Sequence, residues 1–411
     1  MTPKAVCCRF CGSLDLAEVL DLGAQPPSNS FLAEDRLLEP EPHYALILLH
    51  CGQCGLVQVP AAASAHEIFS DYVYFSSYSD SWLDHARRYV DTVVRRFGLG
   101  SQSQVVEIAS NDGYLLQYVT AKGIPALGIE PADNVADAAR RKGVETLVEF
   151  FSLDLAKRLA GQGRRADLVI GNNVLAHVPP LNDFVAGLHH LLKPDGVITM
   201  EFPHLVQLVE QLQFDTIYHE HYSYYSLIVA EKIFAAHGLR IFDVELLPTH
   251  GGSLRIYACH ADAGHRQMPS VEHLRQEEIR DGFDRRDVYL DFGCKIYALK
   301  RDLLDFFIEK KREGRSIAGY GAAAKGNTLL NFLGVRSDFV DFVVDRNPAK
   351  QGKYLPGSRI PVLAPEAIAQ RRPDFLVILP WNLRDEIAGQ MASIRGWGGQ
   401  FVTLIPKVSV F

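Results

Sequence analysis

Residues 105–116 read Val-Val-Glu-Ile-Ala-Ser-Asn-Asp-Gly-Tyr-Leu-Leu, an apolar strand that runs into a turn of small and polar residues and then into a helix. This succession opens the nucleotide site of a doubly wound α/β sheet, where the start of a helix faces the ligand. Two details separate it from a dinucleotide-binding fold. The turn lacks the G-x-G-x-x-G spacing, and the strand itself carries an acidic residue, Glu107. The segment therefore predicts a nucleotide site of another kind.

Three further strands follow, at 126–131, 167–178 and 192–202. The first ends in Glu130, where a carboxylate can hold a ribose diol through two hydrogen bonds. The second contains Asn172-Asn173, and the third follows a Lys-Pro-Asp-Gly turn. Taken in this order, the pieces resemble class I S-adenosylmethionine-dependent methyltransferases.

Plainer interpretations of the same residues stay open. Glu130 could be a solvated carboxylate at a strand end. Asn111 or Asp112 could simply cap the helix that follows them. His177 could be a histidine at a strand end whose hydrogen bonds are satisfied.

Two pairs of cysteines lie in the first 54 residues, Cys8-Arg9-Phe10-Cys11 and Cys51-Gly52-Gln53-Cys54. Each C-x2-C turn brings two thiolates to one ion, and two such turns complete the sulfur set that zinc prefers. Four cysteines leave no open coordination position, so we expect a structural zinc. Cys7 leaves the register open, and two unrelated turns are the alternative. The other cysteines, Cys259 and Cys294, are predicted to be packed core thiols.

The composition is that of a globular enzyme. The 411 residues are 47% hydrophobic and 22% charged, a length that predicts two or three domains. A net charge of -7 argues against broad nucleic-acid binding. The sequence contains no apolar run long enough for a membrane span and does not begin like a signal peptide, so we expect a cytoplasmic protein with no membrane partner. The oligomeric state stays open, with a monomer favoured.

Residues 218–225 read Tyr-His-Glu-His-Tyr-Ser-Tyr-Tyr, which places two histidines, a carboxylate and four phenols in eight residues. Histidine is the side chain that titrates near neutral pH, so the segment predicts a proton-transfer site. His219 alternates with His221 and could be structural. A role for Tyr222, Tyr224 and Tyr225 as core or wall aromatics is favoured over contact with substrate.

The last third of the chain predicts a second Rossmann-like unit. An amphipathic helix at about 287–313 precedes a strand and turn that contain Gly319-x-Gly321, and a later strand ends at Asp345. These features alone would suggest NAD, but Ala-Lys-Gly at 324–326 replaces the third glycine of the fingerprint. Lys325 could contact a pyrophosphate directly.

Together with the Tyr-rich segment 71–79 and His-Gly-Gly-Ser-Leu-Arg at 250–255, these motifs cover nearly the full length of the chain. The chain resembles the zinc-containing sugar C-methyltransferases that act on nucleotide-linked 4-keto-deoxyhexoses and supply branched sugars for antibiotics and surface glycans. One departure is Ala109, where that family commonly has glycine. The resemblance implies a zinc-binding domain at 1–68, a methyltransferase domain at 69–283 and a Rossmann-like domain for the nucleotide sugar at 284–411.

The resemblance also implies an activity. A base removes the proton beside the C4 ketone, and the enolate carbon, most simply C3, takes the methyl of S-adenosylmethionine; the sugar is expected to be dTDP-linked. Alternatives are a sugar O-methyltransferase, an NAD-dependent nucleotide-sugar oxidoreductase and a non-catalytic binding module. The implied catalytic residues are His221 as the base, Glu220 to orient it or share its proton, Tyr218 and Tyr72 as donors to the sugar or enolate oxygen, and His177 as a further acid–base group. The implied cofactor residues are Glu107, Ala109, Asn111, Asp112, Gly113, Glu130, Pro131, Asn172 and Asn173; the substrate residues are Tyr74, Tyr78, Tyr222, Gly321, Lys325, Asn327 and Asp345; the metal ligands are Cys8, Cys11, Cys51 and Cys54.

Overall fold

The computed structural model describes residues 6–61, 76–78 and 80–411. Its strands form three sheets of four, seven and six strands. Helices cover the larger two, so the fold is α/β, as the sequence predicts. Among the described helices, none combines the length and the apolar character that a membrane span needs.

The N-terminal sheet is antiparallel and takes its last strand from the middle of the chain. Its order is β1-β2-β3-β9, and β9 belongs to the Tyr-His-Glu-His segment. Val57 of β3 pairs with Tyr224, and Gln58 pairs with Ser223. The strands are Leu16–Gln25 (β1), Tyr44–Cys51 (β2), Val57–Gln58 (β3) and Ser223–Tyr224 (β9).

The central sheet is doubly wound and has the order β10-β11-β8-β7-β4-β5-β6. The five strands β4 to β8 are parallel, and β11 is antiparallel to both of its neighbours. The parallel strands are short, mostly apolar stretches of sequence that are buried on both faces of the sheet. The strands are Val105–Ile108 (β4), Ala126–Ile129 (β5), Thr146–Leu147 (β6), Ala166–Asn172 (β7), Leu192–Pro203 (β8), Leu239–Leu247 (β10) and Ser253–His260 (β11). The helices are Asp80–Phe97 (α1), Leu116–Thr120 (α2), Asp133–Arg141 (α3), Leu153–Gly161 (α4), Leu181–Leu191 (α5), Leu205–Glu210 (α6), Leu227–Ala235 (α7) and Pro269–Arg280 (α8).

The C-terminal sheet has the order β14-β13-β12-β15-β16-β17 and is parallel except for β17. It is the second Rossmann-like unit that the sequence predicts. The strands are Ile317–Tyr320 (β12), Phe342–Val344 (β13), Val362–Leu363 (β14), Phe375–Ile378 (β15), Gln400–Thr403 (β16) and Ser409–Val410 (β17). The helices are Asp287–Arg312 (α9), Ala324–Leu333 (α10), Ala367–Arg371 (α11) and Arg384–Gln390 (α12).

The long helix α9 lies against β1 and joins the N-terminal sheet to the C-terminal one. Gly293 makes this close approach possible, because a Cβ at that position would lie 2.0 Å from the Val19 carbonyl oxygen. One apolar core packs Cys8, Cys51 and Cys54 against the central sheet. A second core packs strands β1, β2 and β3 against the C-terminal sheet. Cys259 lies in the core as predicted, but Cys294 is exposed on α9, so that prediction is wrong.

Candidate active site

The four predicted zinc ligands come together. The Sγ atoms of Cys8, Cys11, Cys51 and Cys54 all lie within 4.8 Å of one another. Two pairs, Cys8 with Cys54 and Cys11 with Cys51, are 3.5 Å apart. Sulfurs about 2.3 Å from a tetrahedral zinc are about 3.8 Å from each other, so the cluster fits that ion. The structure also fixes the register, because Cys8 belongs to the cluster and Cys7 does not.

The turn after β4 has an unusual backbone. Ala109, Asn111 and Gly113 have φ angles of 55°, 50° and 73°, in the left-handed region. A Cβ at Gly113 would lie 3.1 Å from the Val144 side chain, so the turn packs tightly against the following α/β unit. These angles turn the main chain around the mouth of the sheet, which is the cradle that a nucleotide-bearing methyl donor needs.

The acidic residues of this region are buried rather than solvated. The Glu130 carboxylate accepts the backbone N–H groups of Asn111 and Ala132, both at 3.0 Å, and burial raises its pKa. Glu107 lies wholly inside, where burial raises its pKa well above the usual range. Asp112 pairs with Lys142 at 2.9 Å. Helix α2 begins only at Leu116, and no side chain caps it.

A cavity of about 1440 Å³ lies between the carboxyl edges of the central and C-terminal sheets. It brings together most of the predicted catalytic, cofactor and substrate residues that the structure describes. Those that line it are Ala109, Asn111, Glu130, Pro131, Asn172, Asn173, His177, Tyr218, Glu220, His221, Gly321, Lys325 and Asp345.

Several predicted residues that the structure describes do not line the cavity. Glu107 is buried in β4, and Asp112 and Gly113 lie in the turn after it. Tyr222 is fully buried below Arg9, and Asn327 is buried in α10, so neither reaches the space predicted for the substrate. Tyr72 and Tyr74 lie outside the described residues, and Tyr78 ends the short 3-10 helix Ser76–Tyr78.

His221 has a defined tautomer. Its Nδ1 lies 2.9 Å from the Thr216 carbonyl oxygen, which accepts only, so Nδ1 carries the proton. Its Nε2 therefore presents a lone pair, which accepts the Tyr218 hydroxyl at 2.8 Å. Burial and the nearby His177 hold the pKa of His221 well below its usual range. The imidazole is consequently neutral near pH 7 and aims its basic nitrogen at Tyr218.

Glu220 points to a different set of partners. Its Oε1 accepts the Asn29 amide at 2.6 Å, a contact between residues 191 positions apart. Burial raises the pKa of Glu220 to about 7, and the Asn29 hydrogen bond and the charge of Lys350 oppose that shift. Glu220 is thus a buried carboxyl group that titrates near neutral pH. His219, by contrast, faces the Tyr44 carbonyl oxygen at 3.2 Å and does not line the cavity.

His177 lies beside His221, with ring centroids 4.7 Å apart. Burial lowers its pKa to about 4, so it is neutral near pH 7 as well. It follows β7 in a 3-10 helix, Leu175–His177, which places it at the carboxyl edge of the sheet. Two neutral imidazoles side by side can pass or share one proton without a strong charge repulsion.

A group of aromatic side chains beside the central sheet was not predicted from the sequence. Trp82 stacks on His85 at 5.0 Å and on Tyr114 at 5.9 Å, and it meets His250 edge-on at 5.0 Å. Glu201, the last carboxylate of β8, bonds to His85 at 2.9 Å and to Arg255 at 2.6 Å. The only signals for this group in the sequence are Trp82 near the start of α1 and the motif 250–255.

The wall from the C-terminal sheet is cationic. Lys325 Nζ donates to Asn382 Oδ1 at 2.8 Å, and Lys350 Nζ donates to the Ala322 carbonyl oxygen at 2.8 Å. Burial lowers the pKa of both lysines. Both Asp345 oxygens are taken by backbone N–H groups, those of Ala322 at 2.7 Å and Asn347 at 2.8 Å. Lys350 and Asn382 were not among the predicted site residues.

Comparison with known proteins finds matches along nearly the whole chain. Family models match a putative zinc binding domain at residues 8–69, a methyltransferase domain at 82–244 and a C-methyltransferase C-terminal domain at 248–406. C-methyltransferase NovU of Streptomyces niveus is 34% identical over 98% of this chain and 96% of its own.

Two other similarities are partial. A ubiquinone biosynthesis O-methyltransferase of Bartonella tribocorum is 23% identical over 23% of this chain and 39% of its own. Among solved structures, the PH0226 protein of Pyrococcus horikoshii superposes with a TM-score of 0.38 and 15% identity, over 47% of this chain and 97% of its own.

Proposed function

The chain belongs to the C-methyltransferase family and is an S-adenosylmethionine-dependent methyltransferase with a zinc-binding N-terminal domain; from this premise we propose that it methylates a ring carbon, C3, of a nucleotide-linked 4-keto-deoxysugar. The observation that carries the proposal is the buried acid–base set of Tyr218, Glu220 and His221. This set lies where the donor side of the cavity meets its cationic wall. The proposed domain limits remain 1–68, 69–283 and 284–411.

The methyl donor fits the side of the cavity formed by the central sheet. Bound S-adenosylmethionine supplies an electrophilic methyl group. Asn111 and Pro131 would border its nucleoside, and the side chains of Phe150 and Phe151 offer an apolar wall for its base. Glu130 supports this pocket by fixing the turn at Asn111, and its carboxylate remains close enough to the cavity for a ribose hydroxyl.

Carbon methylation needs a base beside an activated C–H bond, and His221 is suited to that role. The Thr216 carbonyl fixes the proton on Nδ1, so Nε2 is free to accept a proton once Tyr218 turns away. The proton on the carbon beside the ketone passes to Nε2, and the resulting enolate carbon forms the new bond to the methyl group. The C–S bond of the donor breaks in that step, and the proton finally leaves to solvent.

The neighbouring groups would assist this proton transfer. The Tyr218 hydroxyl, released from Nε2, would donate to the developing enolate oxygen, which carries the charge that most needs stabilising. Ionised Glu220 in the same cavity would favour the imidazolium form of His221 and so strengthen the base. His177, whose ring lies 4.7 Å from that of His221, would take part in the proton transfer.

The nucleotide would lie along the cationic wall. Lys325 and Lys350 can face a diphosphate at a cavity edge that is otherwise formed by the turn after β12. The turn after β12 also lacks the third glycine of the dinucleotide fingerprint, which counts against an NAD-dependent oxidoreductase. A dTDP-linked sugar is the proposed substrate.

The test is mass spectrometry of the protein incubated with S-adenosylmethionine and a panel of dTDP-4-keto-deoxysugars, in water and in deuterium oxide. A product heavier by one methyl group is expected, together with exchange of the C3 hydrogen for deuterium in sugar recovered unmethylated from deuterium oxide. A methylated product that forms without any such exchange and carries the methyl on oxygen would refute C-methylation. Donor binding without product from any sugar would refute the proposed acceptor.

A further inference from the structure

Trp381 belongs to the C-terminal Rossmann-like unit but contacts two segments outside it, at Asp215 and Gly251. It begins the short 3-10 helix Trp381–Leu383 that follows β15. Its Nε1–H donates to Asp215 Oδ2 at 2.8 Å. Its ring lies directly on the backbone of Gly251, where an added Cβ would be 2.3 Å from the ring edge. One side chain thus connects two segments of the neighbouring domain.

Asp215 begins the segment that carries His221. It is fully buried in the 3-10 helix Phe214–Thr216. The carbonyl of the next residue, Thr216, accepts the Nδ1–H of His221 at 2.9 Å. A continuous path of hydrogen bonds and one peptide unit therefore runs from the Trp381 indole to the ring nitrogen that sets the tautomer of His221.

The indole ring also meets Lys325. Its Nζ lies 4.6 Å from the Trp381 ring centroid, within range of a cation–π contact. Lys325 also donates to Asn382, the residue after Trp381, at 2.8 Å. An anion that draws Lys325 towards the cavity would therefore change the contacts of the 3-10 helix as well.

We propose that Trp381 is a positioning residue that couples occupation of the nucleotide site at Lys325 to the orientation of His221. The identity of the physiological ligand rests on the proposed function. The hydrogen-bonded path from Trp381 to His221 is present in the structure whatever that ligand is. The positioning role explains why a carboxylate is buried at Asp215: the charge holds an indole N–H from another domain. It also gives the C-terminal domain a part in the chemistry besides holding the substrate.

Trp381→Phe keeps a ring over Gly251 and removes the N–H. With a sugar that the wild type methylates, we expect kcat about tenfold lower, the scale of one lost hydrogen bond to a charged group, with KM for S-adenosylmethionine unchanged. Trp397→Phe is the matched control, because the Trp397 indole also donates to an oxygen, that of Pro373 at 3.0 Å, away from the cavity. A Trp381→Phe variant that raises only KM for the sugar would overturn the positioning role.

Two Asp215 variants test the path itself. Asp215→Asn keeps an oxygen for the indole and should retain most of kcat, whereas Asp215→Leu should match Trp381→Phe. The double variant Asp215→Leu with Trp381→Phe should be no slower than either single variant, because both remove the same interaction. Fully additive losses would overturn the proposal.

A nuclear magnetic resonance experiment decides the question without turnover. The chain has three tryptophans, so its indole N–H resonances are few, and Trp381→Phe identifies one of them. We expect that resonance to shift when dTDP alone is added, and we expect the imidazole ¹⁵N signals of His221 to lose the Nδ1–H pattern in Trp381→Phe but not in Trp397→Phe. If no keto sugar is methylated, the proposed function fails while this result still stands. Unchanged His221 signals in Trp381→Phe, or no indole shift with dTDP, would overturn the coupling.

Discussion

Glu220 offers a prediction that two independent measurements can check. Burial raises its pKa to about 7, so about 9% of it is ionised at pH 6 and about 91% at pH 8. If the ionised form strengthens His221 as a base, kcat should rise about tenfold between those pH values. His221 itself should contribute no step in this range, because its pKa lies far below it.

The perturbation is Glu220→Gln, which keeps the size of the side chain and an oxygen for Asn29. Its kcat should stay at or below the wild-type value at pH 6 and lose the rise towards pH 8. The assay is kcat at saturating donor and sugar from pH 5.5 to 8.5. A rise of unchanged size and midpoint in Glu220→Gln would refute the assignment of that step to Glu220.

Stability supplies the second measurement. The folded pKa of Glu220 is raised above the unfolded value of 4.5, so its contribution to stability is full below about pH 4.5 and is lost as pH rises through about 7. A shift from 4.5 to about 7 corresponds to about 3 kcal/mol at pH 8. Glu220→Gln, always neutral, should therefore have a higher apparent Tm than wild type at pH 8 and a nearly equal one near pH 4. The exposed Glu366→Gln is the charge-matched control; equal melting of Glu220→Gln and wild type at pH 8 would contradict the raised pKa.

Three further predictions concern the base, the metal and the nucleotide turn. His221→Ala should lower kcat by about 10³ at every pH while calorimetry finds the affinity for S-adenosylmethionine within threefold of wild type, and unchanged turnover would exclude His221 as the base. Cys11→Ser should lower the zinc content measured by elemental analysis and raise hydrogen exchange at residues 57–59 and 223–224. The control Cys7→Ser should do neither. Retention of zinc in Cys11→Ser would count against the four-sulfur site. Ala109→Gly should stabilise the protein by up to about 1 kcal/mol in urea unfolding, because an L-residue at φ 55° is strained and glycine is not, and a loss of stability would show that the methyl group makes a needed contact.

Local patterns in the sequence predicted those parts of the structure that local physics determines. The strand, turn and helix at 105–116 form from apolar periodicity and small residues, and the spacing of Cys8, Cys11, Cys51 and Cys54 suffices for a metal site. The same holds for the second Rossmann-like unit, because its first strand and turn have their own residue signature. Those elements need no information about distant residues.

The unpredicted parts depend on contacts between distant positions. No pattern near Glu220 in the sequence indicates its hydrogen bond with Asn29. No pattern near Asp215 indicates its hydrogen bond with Trp381, 166 residues away. The burial that shifts the pKa of Glu220 arises only when three sheets meet. The family resemblance implied a substrate contact for Tyr222, whereas the segment itself favoured a core or wall role, and the structure buries its ring under Arg9.

The pairing of β3 with β9 has a consequence for how such enzymes can be recombined. The edge of the N-terminal sheet stays open during synthesis until residues 223–224 leave the ribosome, about 165 positions after Val57–Gln58. The same two residues begin two positions after His221, and the Tyr222 carbonyl between them accepts the Val59 N–H at 3.1 Å. A chimera that exchanges the zinc-bearing module between relatives at a linker would therefore cut through a shared sheet. A functional chimera must therefore exchange the zinc-bearing module together with residues 218–225.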